Sequence, residues 1–98
     1  MKMIYKFADH IKEELEGAKS YAEKYIEHKA KGDATKAMKY KEMANDELRH
    51  AQYIHDFAMQ DVEAVKKVHT LSVEDESAWE HAHKHFAECT AMVRMMLN

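Results

Sequence analysis

The tripeptide Lys31-Gly32-Asp33 breaks an otherwise uninterrupted run of helix-forming residues. Gly32 suits the left-handed conformation that ends a helix, and Asp33 suits the position that caps the next. Pro is absent from the 98 residues and Gly occurs only twice, while Lys, Glu, Ala and Met abound, so nearly everything else favours helix. A linker this short folds the helix before it back along the helix after it. The expected architecture is all-α, an antiparallel hairpin.

Outward from that turn, the first helix is expected over about 3–30. Its stripe is Ile4, Phe7, Ile11, Glu14, Ala18, Tyr21, Tyr25 and His28, widened by Ala8, Leu15 and Ala22. The steps alternate between three and four, as one helical face requires. The second helix is expected over about 34–68. Its stripe is Ala37, Tyr40, Ala44, Glu47, Ala51, Ile54, Ala58, Asp61, Val65 and Val68, flanked by Met43, His50, Phe57 and Ala64. His69-Thr70-Leu71-Ser72 then interrupts the pattern, and Ser72 with Asp75 fits a capping box. A shorter third helix follows, about 73–97, with Trp79, Ala82, Phe86, Cys89, Val93 and Met96 on its apolar stripe. No repeat or composition shift divides 1–98, so a single domain is expected.

Acids interrupt two of these stripes. Within Glu47-Leu48-Arg49-His50, the glutamate and the histidine are three apart and share one helical face. Glu14 holds the matching place on the first helix. Residues equidistant from the turn of an antiparallel hairpin lie at one level, and Glu14 and Glu47 have their midpoint about one and a half residues before Gly32. At ~1.5 Å rise per residue they are level to within a few ångströms. No lysine or arginine shares the stripes beside them, and carboxylates on an apolar seam cost several kilocalories per mole unless paired or bound to metal. A metal ion meets that need, and carboxylate with imidazole suits iron, manganese or zinc. Glu13 and Glu16 fall on the wet face.

Composition excludes other functions. A net charge of −3 with interspersed signs offers nucleic acid no basic surface. One cysteine, Cys89, excludes both an internal disulfide framework and a four-cysteine iron site. It also fits a reducing compartment. No apolar run approaches the ~20 residues that span a bilayer, and charges break up the first residues where a signal peptide would need an apolar core. A cytoplasmic protein without membrane association is expected.

The segments Glu13-Glu14-Leu15-Glu16-Gly17-Ala18-Lys19-Ser20-Tyr21 and Asp46-Glu47-Leu48-Arg49-His50-Ala51 resemble the two halves of a ferritin or rubrerythrin site. Di-iron proteins of the ferritin-like superfamily take one glutamate from each of two helices and a Glu-x-x-His from each of two others. This chain carries half of that set, like the encapsulated ferritins, whose chains hold half a bundle and complete it by dimerising. The resemblance implies that two chains pair into a ferritin-like four-helix bundle, as a homodimer or a ring of dimers. It implies two Fe ions per dimer, with Mn or Zn as substitutes. Glu14 and His50 would be terminal ligands, Glu47 would bridge, and Tyr21 would hydrogen-bond a ligand carboxylate. The implied activity is ferroxidase, oxidising Fe(II) to Fe(III) for storage or detoxification. An encapsulating shell protein is an implied partner, but Arg94-Met95-Met96-Leu97-Asn98 lacks the Gly-Ser-Leu-type tail that loads such proteins into a nanocompartment. The resemblance does not extend to the third helix.

Two other functions fit the same residues. One is a rubrerythrin-like peroxide reductase dependent on an external electron donor. The other is a non-catalytic helical module whose seam acids set pairing specificity. Asp61 reads as a polar residue near a bundle end. His81 and His85, with Glu88, have chelating spacing but lie off the apolar stripe, so with His83 they read as exposed. His10-x-x-x-Glu14 and His81-x-x-x-His85 also resemble hemerythrin spacing, whose remaining histidines have no counterpart here. His10 and His28 read as half-exposed surface, and Cys89, Met92, Met95 and Met96 as packing.

Overall fold

A computed structural model describes all 98 residues. Three helices account for it: α1 (Lys2–Ala30), α2 (Ala34–Lys66) and α3 (Val73–Met96), with no strand. The turn that joins α1 to α2 satisfies its backbone fully. Gly32 has φ 78°, Asp33 N–H donates to His28 O at 3.0 Å, and Gly32 N–H donates to Lys29 O at 3.1 Å. Those two bonds are a Schellman motif. Asp33 then caps α2 by accepting from Lys36 N–H at 3.1 Å.

The second helix is two residues shorter than expected. Val65 O accepts from both Val68 N–H and His69 N–H, which closes α2 and turns Val68 into solvent. Ser72 caps α3 by accepting from Asp75 N–H at 3.1 Å. The reciprocal half of the capping box is missing, because the Asp75 carboxylate pairs instead with the Met1 ammonium at 2.6 Å.

Small residues let the hairpin close. Ala18, Ala22, Ala44 and Ala51 are fully buried, and interaxial distance follows the size of the facing side chains. α3 lies mainly against α1, with Ala82, Phe86 and Val93 buried against the hairpin. Leu71, from the connector, seals one end with Ile4 and Val62.

The buried faces keep the expected Ile4, Phe7, Ile11, Ala18 and Tyr25 on α1 and Ala37, Ala44, Ala51 and Ala58 on α2, and extend to one side of those stripes. On α1 the core runs through Leu15, Ala18 and Ala22, leaving Glu14, Tyr21 and His28 half-buried. On α2 it runs through Leu48, His55 and Val62, leaving Glu47 and Ile54 half-buried and Asp61 exposed. On α3, Thr90 joins the core, while Trp79, Cys89 and Met96 sit at its margin.

The molecule is a thin rod of 55 × 18 × 18 Å with a radius of gyration of 16.0 Å; a compact chain of this length would have about 13 Å. Its accessible surface is 6556 Å², against about 5,800 Å² expected for a monomer of this mass. One long side of the hairpin, facing away from α3, remains uncovered.

Candidate metal centre

Glu14, Glu47 and His50 come together on that uncovered side, their ligand atoms all within 4.8 Å of one another. No other group of three His, Cys, Asp or Glu side chains in the chain does so. Helical phase explains the location. Glu14 is about 100° around α1 from Leu15, and Glu47 about 100° around α2 from Leu48; both leucines are buried. The acids therefore rise at the margin of the hairpin seam, while the leucines face inward.

Local geometry leaves the cluster's polar groups short of partners. Glu14 Oε2 is buried and accepts no hydrogen bond. His50 Nδ1 lies 3.6 Å from it, too long for a hydrogen bond. Two metal–ligand bonds of about 2.1 Å, opening at roughly 115–120°, span such a gap. The Glu47 carboxyl is raised from the ordinary 4.5 to about 7, foremost because the adjacent Glu14 carboxyl favours a proton held between the two, then by burial and by the Glu14 charge; His50 opposes the shift. A carboxylate that prefers a proton here is one that a divalent cation can serve in the proton's place.

Gly17 makes room for it. A Cβ at that position would stand 3.3 Å from Glu47 Oε2 and 3.6 Å from its Cδ, so the Glu47 carboxylate lies against the bare backbone of α1. That contact joins the two helices at the level of Glu14. It was absent from the sequence reading, although a glycine three residues after a seam acid is a visible signal.

Tyr21, expected to hydrogen-bond a ligand carboxylate, instead stacks on Tyr40 with ring centroids 6.3 Å apart, and Tyr40 stacks on His28 at 5.3 Å. No hydrogen bond joins the Tyr21 hydroxyl to either glutamate within the chain. His10, read as ordinary surface, has its Nε2 3.6 Å from Glu14 Oε1. Asp61 is exposed and outside the cluster.

His81 and His83 are exposed as expected, and His85 is half-buried. His81 and His85 line a groove of about 320 Å³ with Asp9 and Lys12, but Glu88 turns to Lys84 at 3.8 Å and completes no chelate. His85 instead contacts the Cys89 sulfur at 3.6 Å. His83 is exposed but bonded: its Nδ1 meets His55 Nε2 at 2.7 Å. His55 itself is 3% exposed, stacked on Phe86 at 4.3 Å and on Trp79 at 6.0 Å. Burial first, then the His83 charge, lowers its pKa. His55 was not among the expected core positions, although it lies seven residues from both Leu48 and Val62 on one helical line.

No family model matches the chain, and no curated protein or solved structure is significantly similar to it.

Proposed function

We propose that this chain is half of a ferritin-like ferroxidase, binding Fe(II) as substrate at a centre that two copies share. The observation that carries the proposal is the convergence of Glu14, Glu47 and His50 on the uncovered side of the hairpin, with a buried carboxylate oxygen lacking a partner. The donor chemistry fits: carboxylates and imidazole bind ferrous iron. Each chain contributes two carboxylates, so two chains balance the charge of two Fe(II). Each iron gives up one electron, and a dioxygen molecule taking both, with two protons, leaves as hydrogen peroxide.

The protein's own contribution is binding, orientation and charge. Glu14 and Glu47 hold the iron from opposite helices, and His50 adds a neutral donor. Loss of the Glu47 proton on binding ties iron affinity to pH. Exposed apolar side chains near the cluster support this reading on independent grounds. The open side carries Met43 and a Phe57 that is 64% exposed. The whole rod is 55 Å long and 18 Å wide, so one long side is large enough for an interface of about 800 Å² per partner. An antiparallel four-helix bundle closed over that side would bury both. No helix of the chain is long and apolar enough to cross a membrane.

Without metal, pairing brings four carboxylates together in a dry seam, which opposes association. With metal, binding energy available only to the dimer favours the dimer. The test is Fe(II) titration under nitrogen with sedimentation, followed by admission of oxygen, for wild type and Glu47→Ala. We expect metal-dependent dimerisation and rapid oxidation in wild type alone. Equal oxidation rates in the two proteins would sink the ferroxidase, and dimers indifferent to iron and chelator would leave a helical pairing module in its place. Faster oxidation by peroxide than by oxygen would favour a peroxide reductase.

A further inference from the structure

Both oxygens of Glu14 face an imidazole across the same distance. Oε2 is 3.6 Å from His50 Nδ1, and Oε1 is 3.6 Å from His10 Nε2. Neither spacing is a hydrogen bond. Each is a little wider than the roughly 3.0–3.4 Å between neighbouring donors of an octahedral or tetrahedral ion bonded at about 2.1 Å, so a small approach of the imidazole closes it. His10 precedes Glu14 by four residues, so the two side chains rise from consecutive turns of α1 on one face. His50 reaches the other oxygen from α2.

We infer that His10 is a metal ligand. With Glu14 Oε1 it holds an outer divalent ion, one per chain, beside the inner ion held by Glu14 Oε2, Glu47 and His50. The inference rests on the metal-binding function proposed above and extends it: Glu14 is a bridge within its own chain. The outer ion has two protein ligands and water for the rest. His10 is the more exposed of the two, with over half its side-chain surface open, so the outer ion binds more weakly and exchanges faster than the inner one. The alternative origin of the His10–Glu14 proximity is an ion pair with a protonated imidazole, which needs only a positive charge. A lysine at position 10 supplies that charge and no ligand at neutral pH.

Equilibrium dialysis against Co(II) under nitrogen at pH 7.5, with visible absorption to follow coordination, tests this on wild type, His10→Ala, His10→Lys and His50→Ala. Wild type should take up two Co(II) per chain in two classes at least tenfold apart in affinity. His10→Ala and His10→Lys should each lose the weaker class and keep the tighter, and His50→Ala should weaken the tighter class. His10 is exposed on a helix, so these variants fold, which circular dichroism checks. Unchanged stoichiometry and affinity in His10→Ala overturns the inference and leaves the proposed function standing, as does one Co(II) per chain in wild type. Retention of the weaker class in His10→Lys also overturns it, by showing that charge suffices. No Co(II) bound by wild type removes the inference and the proposed function together.

Discussion

Two polar clusters sit on the same helix, α2, within two turns of each other, and they have opposite relations to the fold. His55 points into the contact between α2 and α3, where His83 bonds it at 2.7 Å and aromatic rings cover both of its faces. Glu47 and His50 point to the uncovered side, where Glu14 Oε2 is left without a partner and the Glu47 carboxyl retains its proton up to about pH 7. Each cluster keeps one buried atom without a hydrogen-bond partner, His55 Nδ1 in the first and Glu14 Oε2 in the second. The His55 ring is nonetheless bonded at Nε2 and stacked from within the chain, whereas the second cluster brings three ligand groups within 4.8 Å of one another. An unpartnered buried atom alone does not separate the two; convergence of several donors on one point is what distinguishes a place where something can bind.

The largest effects should come from giving both clusters the same apolar treatment. Glu47→Leu removes a ligand and should lower Fe(II) oxidation by more than 100-fold, yet leave the melting temperature of the chelated protein equal or higher, because a poorly placed charge is gone. His55→Leu should leave metal binding intact and destabilise the fold by about 2–4 kcal/mol, since it strips aromatic stacking and a hydrogen bond from the contact between α2 and α3. For a chain of this length that is a fall in Tm of roughly 10–25 °C. Thermal melts with chelator and Fe(II) oxidation assays on both variants check the crossed pattern. A Glu47→Leu protein less stable than His55→Leu would show that the acid, too, is structural.

The two clusters should also give pH slopes of opposite sign. His55 has a lowered pKa, so the folded chain refuses a proton that the unfolded chain accepts. Its contribution to stability is present above the unfolded value of 6.5 and is lost as pH falls through the folded value. Glu47 is raised to about 7; its contribution is present below 4.5 and is lost as pH rises towards 7. With chelator present, Glu47→Gln should leave only the loss on acidification, and His55→Phe only the loss between pH 4.5 and 7. Trp79, the single tryptophan, stacks on His55, and its fluorescence should follow the His55 slope. Parallel slopes in the two variants would show that neither cluster governs the profile.

Much of the fold was legible because it is local. The Schellman glycine, the Asp33 cap and the Ser72 cap are chemistry within four residues of a helix end, and each stands where the sequence put it. The level of Glu14 with Glu47 was legible for the same reason, since a short turn fixes register. What the sequence did not reveal was how far the buried face of α2 extends past the expected stripe, to Leu48, His55 and Val62. Glu47, Ile54 and Asp61 repeat every seven residues, and so do Leu48, His55 and Val62, one position on. Periodicity alone does not choose between lines one residue apart when both contain apolar and polar members. The choice is made by α3, which packs on one side of the hairpin, buries Leu48, His55 and Val62, and leaves the acids at the margin. The stacking of Tyr21 on Tyr40 was not legible for a related reason: what that side chain touches depends on a neighbour on the other helix.

The smallest predicted effect separates the needs of the fold from those of the site. Gly17 lies in the interior of α1, where alanine is ordinarily better by about 1 kcal/mol because it restricts the unfolded chain and loses less backbone entropy on folding. Nothing at Gly17 demands a glycine conformation, since its φ is not positive. The added methyl would meet only Glu47, with Oε2 at 3.3 Å, Cδ at 3.6 Å and Cγ at 3.7 Å. That is the end of a flexible side chain, which can swing outward at little cost to the fold. Gly17→Ala should therefore raise the melting temperature of the chelated protein by a few degrees, or leave it unchanged. The swing would move the Glu47 carboxylate away from Glu14 by a few tenths of an ångström or more, and metal geometry tolerates such shifts poorly. Fe(II) affinity measured under nitrogen should fall, by about 3- to 10-fold, in a protein that is no less stable. Gly17→Ser should do the same to the metal with less gain in stability, because serine is a poorer helix former. Undiminished affinity in a stabilised Gly17→Ala would mean that the bare backbone at position 17 contributes nothing to the placement of Glu47.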